Sequence, residues 1–260
     1  MQAILDGVTY NKMLPPGAAA QPVALEVYNA AAKVPEARVS QDMILIERTG
    51  EQVLVNETII YTNDGKTTYQ NAEGTLRIQV PATVTGPVKM RITAPQGMPI
   101  SREPEKGSAP NTWVVKYPIK PGETRFDFSY TMPASAESTK FASRILHSGG
   151  PVRFVAPQGI RLEGAGITDL GPEPRTQATV YELKGSEFAI NVTGTGQLRA
   201  AGGGEEAEPK QKAAQGEESD TPGIDMVKPR IYARMPWIVG LAFAMLTLGF
   251  VAMYNKGSQV

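Results

Sequence analysis

Short segments in which apolar and polar residues alternate recur between residues 23 and 192. A period of two belongs to half-buried β-strands, whose successive side chains point to opposite faces. Val23, Leu25 and Val27 alternate in PVALEVYN; Val53 and Val55 do so before Asn56, and Ile60 sits between Thr58 and Thr62 beyond it. The same alternation places Leu76, Ile78 and Val80, then Val88, Met90 and Ile92, then Phe126, Phe128 and Tyr130 on inward faces. Strands are also predicted over 152–156, 178–183 and 188–192. Met43-Ile44-Leu45-Ile46 is apolar without interruption, which predicts a strand covered on both faces. Turn-forming sequences separate these segments: Asn63-Asp64-Gly65, Pro95-Gln96-Gly97, Pro121-Gly122 and Pro157-Gln158-Gly159. Strands at such short spacing, with no helical segment between them, predict an all-β fold: an antiparallel β-sandwich of immunoglobulin-like type. Residues 23–198 suffice for one enlarged sandwich or two small ones.

The pattern changes twice after residue 198. Residues 199–229 read RAAGGGEEAEPKQKAAQGEESDTPGIDMVKP, dominated by glycine, alanine, glutamate, glutamine and lysine. Such a stretch buries too little apolar surface to offset its chain entropy, so a disordered linker is predicted. Residues 235–254 read MPWIVGLAFAMLTLGFVAMY and carry no charged side chain. At about 1.5 Å per residue, a helix of this length crosses roughly 30 Å, the hydrocarbon thickness of a bilayer. Pro236 suits the first turn, where no N–H is needed. Arg234, Trp237, Tyr254 and Lys256 stand at the two ends as interface anchors. A single C-terminal transmembrane helix is therefore predicted, with the lipid bilayer as a partner. Within it Gly240 and Ala244 form a small-xxx-small pair and Thr247 can hydrogen-bond, a helix-packing set that competes with the reading of a passive anchor.

Composition narrows the chemistry. The 260 residues carry 26 Lys plus Arg against 26 Asp plus Glu, a formal net charge of zero. A neutral chain has no long-range field to hold a polyphosphate backbone, so no nucleic-acid partner is expected. The chain has no cysteine, which excludes disulfides, thiolate metal sites and thiol nucleophiles, and its single histidine leaves no multi-histidine metal site. Gly65-Lys66-Thr67 resembles the end of a phosphate-binding loop, but position 60 is Ile where the leading glycine is needed, so a hairpin turn is expected. His147 has no nucleophile or orienting partner beside it in sequence, and a solvated loop position is expected. No catalytic residue, cofactor or metal ligand is assigned. An enzyme would need a carboxylate pair made by folding, such as Glu163 and Asp169. Trp113 and Tyr117 would make a platform for sugar or peptide on an exposed face, whereas strand aromatics usually fill a sandwich interior.

At YPIKPGETRFDFSYTMP (117–133), VTYNKMLPPG (8–17), VALEVYNAAAKV (23–34) and the WIVGLAFAM start of the membrane segment, the chain resembles a group of uncharacterised bacterial envelope proteins. Members carry a signal peptide, a carboxypeptidase-regulatory-like (transthyretin-like) β domain, a second β-sandwich and one C-terminal membrane helix. The resemblance implies a bacterial cell-membrane location and no known enzymatic activity. It also implies that residues 1–22 are the remnant strand and connector of an N-terminally truncated transthyretin-like domain. A lone strand over 4–10 would expose both edges and pack poorly. Lys228, Arg230 and Arg234 before the span, against Lys256 after it, favour a cytoplasmic body, while the resemblance favours one outside the cytoplasm. The anchor, the linker and the lack of a catalytic constellation together lead to one functional expectation. It is a non-enzymatic, membrane-tethered interaction or assembly module with a protein or glycan partner in the envelope. The alternatives are an accessory subunit docked through its helix and an enzyme with an unrecognised carboxylate site.

Overall fold

Every regular element among the described residues is a β-strand. The computed structural model describes residues 1–12 and 23–198. Its first half contains β1 (Gln2–Leu5), β2 (Val8–Asn11), β3 (Ala30–Ala31), β4 (Ala37–Thr49), β5 (Gln52–Asn63), β6 (Thr68–Tyr69), β7 (Leu76–Gln79), β8 (Thr85–Thr93) and β9 (Ile100–Arg102). The second half adds β10 (Glu105–Lys106), β11 (Thr112–Val115), β12 (Gly122–Pro133), β13 (Ser138–Arg144), β14 (Val152–Ala156), β15 (Ile160–Ala165), β16 (Ile167–Pro172), β17 (Thr179–Leu183) and β18 (Glu187–Gly194).

Eight strands form one large sheet in the order β16-β17-β14-β4-β5-β12-β8-β9. Its long central strands follow the period of two. β5 turns Val53, Val55 and Ile59 inward, and β12 does the same with Phe126, Phe128, Tyr130 and Met132. The β4–β5 hairpin closes through Gly50-Glu51, with φ at Gly50 of 54°, a left-handed value that suits glycine. The expected antiparallel pairing holds except at two places. β14 lies parallel to β4, with Val152 opposite Asp42 and Val155 opposite Leu45, and the short β3–β6 pair is also parallel. Parallel neighbours need a long crossover, and the whole of β5 to β13 lies between β4 and β14.

Two three-stranded sheets, β10-β11-β7 and β13-β18-β15, cover the inward face. One hydrophobic core takes in all three sheets: Ile78 and Val115 from the first small sheet, Phe141, Ile190 and Val192 from the second, and Ile44, Ile59, Phe126 and Phe154 from the large one. Phe141, Phe154 and Phe188 meet edge-on with centroids 4.9, 5.0 and 6.4 Å apart, the geometry that ring quadrupoles favour. Between the small sheets the strands are not hydrogen-bonded into one ladder. Instead Ser143 Oγ donates to the Gln79 carbonyl at 2.6 Å across their seam. Buried Arg48 donates to the carbonyls of Ser135, Ala136 and Val192, tying β4 to the chain entering β13 and to β18.

Three expectations are corrected. The alternating segment 23–27 forms no strand, and Val27 is exposed, because alternation supplies an amphipathic surface but no partner ladder. Side chains hold this stretch instead: Lys12 Nζ donates to the Ala24 carbonyl and the Tyr10 hydroxyl to that of Tyr28. Residues 2–11 are not a lone strand but a β1–β2 hairpin turning at Asp6-Gly7, with φ of 52° and 76°. Asp-Gly is a preferred pair for a two-residue turn that is left-handed at both positions. The hairpin is also docked, since Val8 and Tyr10 are buried. Tyr10 Oη hydrogen-bonds Thr68 Oγ1 at 2.8 Å, and Lys120 Nζ lies 4.7 Å from its ring centroid. Gly65-Lys66-Thr67 is a bend and not a hairpin turn, because it leads from β5 to β6, which belong to different sheets.

No helix among the described residues is long and apolar enough to cross a membrane. The predicted linker (199–229) and membrane segment (235–254) lie outside the described residues.

Candidate functional site

Asp42, Glu57 and Tyr130 are ionisable side chains at inward positions on the central strands of the large sheet. A bulge at Ser40 shifts the β4 register and returns Asp42 to the inward face beside Ile44 and Ile46. On β5 Glu57 takes the inward position between Val55 and Ile59, with Ile44 opposite it on one side and Phe128 on the other. Tyr130 is inward on β12. His147 joins them from the loop after β13. Gly149 and Gly150 take φ of 93° and 67°, and a Cβ on Gly150 would stand 2.7 Å from the Ser40 backbone. Only glycine allows that approach. With Asp42 N–H donating to the Pro151 carbonyl, it sets the loop against the β4 bulge. His147 Nε2 then hydrogen-bonds Asp42 Oδ2 at 3.0 Å. The imidazole is 8% exposed and the Asp42 side chain 0%, so the expected solvated histidine is instead half of a buried pair. Its partner stands 105 residues earlier, out of reach of any local motif.

Low polarity governs the electrostatics here. Burial pushes the Asp42 carboxyl up, and the hydrogen bond from His147 pulls it back. Burial pushes Glu57 well above the usual carboxyl range, and the Asp42 charge adds to the shift. The Tyr130 phenol is raised by burial and by both carboxyls. Glu57 therefore keeps its proton where a free carboxyl loses it, since an unpaired charge in such surroundings is costly. Asp42 Oδ1 and His147 Nδ1 are buried without a hydrogen-bond partner among the described residues. A cavity of about 10 Å³ adjoins Glu57, Tyr130 and His147, room for about one water molecule. Arg77, Gln79, Ser143 and Phe188 line both this cavity and an open cleft of about 1160 Å³ walled by the two small sheets. Two pairs of opposite charges lie on the cleft wall: Lys116 with Glu105 at 2.8 Å, and Arg144 with Glu187. Among the described residues, no three His, Asp or Glu side chains converge on a point that could hold a metal ion.

The outward face of the large sheet presents a second feature. Met43 and Leu45 on β4 point away from the core and are half-buried, as is Val155 on β14. They floor an open groove of about 870 Å³ whose lining also includes Asn56 and Thr58 of β5 and Leu198, the last described residue. The uninterrupted run Met43 to Ile46 thus serves both faces: Ile44 and Ile46 fill the core, while Met43 and Leu45 floor the groove.

Residues singled out from the sequence fall elsewhere. Trp113 and Tyr117 are half-buried and pack against the core. Each ring has a cation 5.9 Å from its centroid, Lys106 for Trp113 and Arg102 for Tyr117, and Tyr117 meets Phe126 edge-on. Glu163 and Asp169 belong to different sheets and are exposed. Glu163 pairs with Arg161 at 3.1 Å, and Asp169 accepts from the Gly171 N–H. The carboxylates that folding does bring into electrostatic contact are Asp42 and Glu57. Gly240, Ala244, Thr247, Arg234, Trp237, Tyr254 and Lys256 lie outside the described residues. No protein-family model matches the chain, and no curated protein matches it.

Proposed function

We propose that this protein is a non-enzymatic, membrane-tethered binding module of a bacterial cell envelope. In this reading the β body is an immunoglobulin-like sandwich outside the cytoplasm, joined by the linker 199–229 to a C-terminal membrane helix over 235–254. The contrast between its two candidate sites supports binding over catalysis. The ionisable cluster adjoins a cavity of about 10 Å³, too small for a substrate. The groove on the outward face is open, at about 870 Å³, and floored by half-buried apolar side chains. Apolar surface left on a sheet face marks a place where another molecule is covered. A second reading, docking of the helix itself into a membrane complex, draws on Gly240, Ala244 and Thr247.

Photo-crosslinking in the full membrane-bound chain tests the proposal. A photoreactive residue in place of Met43 is expected to give a discrete adduct with a second protein, and one in place of exposed Arg161 none. Absence of an adduct from position 43, or equal labelling from position 161, overturns it.

A further inference from the structure

We propose that the groove on the outward face receives an extended segment of a partner protein in which aliphatic side chains are followed by carboxylates. This rests on the binding reading above and names the chemistry of its partner. Met43, Leu45 and Val155 supply the apolar floor. Leu198 already lies in the groove, its N–H donating to Glu47 Oε1 at 2.8 Å, so an aliphatic residue of a segment crossing this face is seated there. The far wall is cationic, with Lys89 and Arg91 on β8, Arg102 on β9 and Arg125 on β12 against Glu103 and Asp127. Arg125 pairs with Asp127 at 2.7 Å, and Thr58 Oγ1 donates to the same carboxylate oxygen at 2.8 Å. Lys89 and Arg91 are exposed and pair with no carboxylate among the described residues.

Aliphatic burial supplies affinity in such an interface, and the unpaired cations select the sign of the partner. The chain's own linker, 199–229, contains Glu205, Glu206, Glu208, Glu217, Glu218 and Asp220, but its large aliphatic side chains, Ile224, Met226 and Val227, come after these carboxylates and not before them. That order is the reverse of the one proposed for the groove, which favours a segment from another protein.

Fluorescence anisotropy with the full chain in lipid nanodiscs provides the test. The probe is a labelled synthetic peptide, Val-Leu-Val-Leu-Glu-Glu-Glu-Glu, compared with its lysine counterpart. The glutamate peptide is expected to bind, and the lysine peptide not to. Lys89→Glu combined with Arg91→Glu should weaken binding about tenfold or more, as should raising the salt to about 1 M. Both side chains are exposed, and unchanged thermal unfolding of the double variant shows that its fold is intact. Equal binding of the two peptides, or no effect of the charge reversal, overturns the proposal. Binding seen only after deletion of residues 199–229 also overturns it, because the groove is then occupied by the chain's own linker. If the Met43 adduct persists while these charge effects are absent, the partner chemistry fails and the binding reading stands.

Discussion

Glu57 lies among Val55, Ile59 and Phe128 with its carboxyl pushed far up by burial and by the neighbouring Asp42. An acid whose folded-state pKa is raised binds its proton more firmly folded than unfolded. Its contribution to stability is therefore complete below the ordinary carboxyl range, near pH 4.5, and is lost as pH rises towards the folded value. Glu57→Gln keeps the shape and removes the proton. Urea unfolding of the two proteins from pH 4 to pH 8 should show wild type losing ground above pH 4.5, by up to about 1.4 kcal/mol per pH unit, relative to the variant. Parallel curves would contradict the buried, protonated assignment. His147→Ala acts in the opposite direction. It leaves the Asp42 carboxyl buried without its partner, at a cost of about 3 kcal/mol near neutral pH. Because an unpaired Asp42 is most easily accommodated when protonated, that penalty should shrink as the pH falls to 4. A pH-independent loss would assign His147 to packing alone. The sequence does hold a signal for this cluster. Glu57 falls in phase with Val53, Val55 and Ile59, and Asp42 in phase with Ile44 and Ile46, so each is a polar residue at an apolar position. The pairing with His147 is not legible, because it depends on the β4 bulge and on two glycines in a distant loop.

At the level of elements, alternation located β5, β8, β12, β14, β17 and β18, each of which buries one face against the core. It failed for 23–27, where the period is present and the ladder is not. Strands β15 and β16 escaped notice because their outer residues are exposed and few apolar side chains mark a face. The β1–β2 hairpin shows the reverse case. Its Asp6-Gly7 turn is readable from the sequence, but its docking is made by partners far along the chain: buried Val8 and Tyr10, the Tyr10 hydroxyl on Thr68 and Tyr28, Lys120 Nζ donating to the Thr9 carbonyl and the Ala30 N–H donating to Asp6. Tyr10→Phe should cost about 1–2 kcal/mol by leaving the buried Thr68 hydroxyl unpaired. Hydrogen exchange at the amides of β2 should then accelerate more than exchange in β5. Equal effects in both strands would mean that the hairpin and the body unfold as one unit.

Across the whole molecule, the parallel β14–β4 pairing decides what the outward face looks like. It sets Val155 beside Leu45 and so widens an apolar strip that a purely sequential antiparallel meander would not build. The same large sheet thus carries the ionisable cluster inward and the groove outward, on alternate residues of β4 and β5. If the proposed binding belongs to the outward face, it does not depend on the inward cluster. The direct test is the yield of the photo-adduct from position 43 in two backgrounds of matched fold, Glu57→Gln and the double variant Leu45→Thr with Val155→Thr. Threonine is β-branched and suits a strand at both positions while removing apolar contact area. The yield should be unchanged with Glu57→Gln and fall several-fold with the double threonine variant. Loss of the adduct with Glu57→Gln, together with full yield from the threonine variant, would contradict this reading.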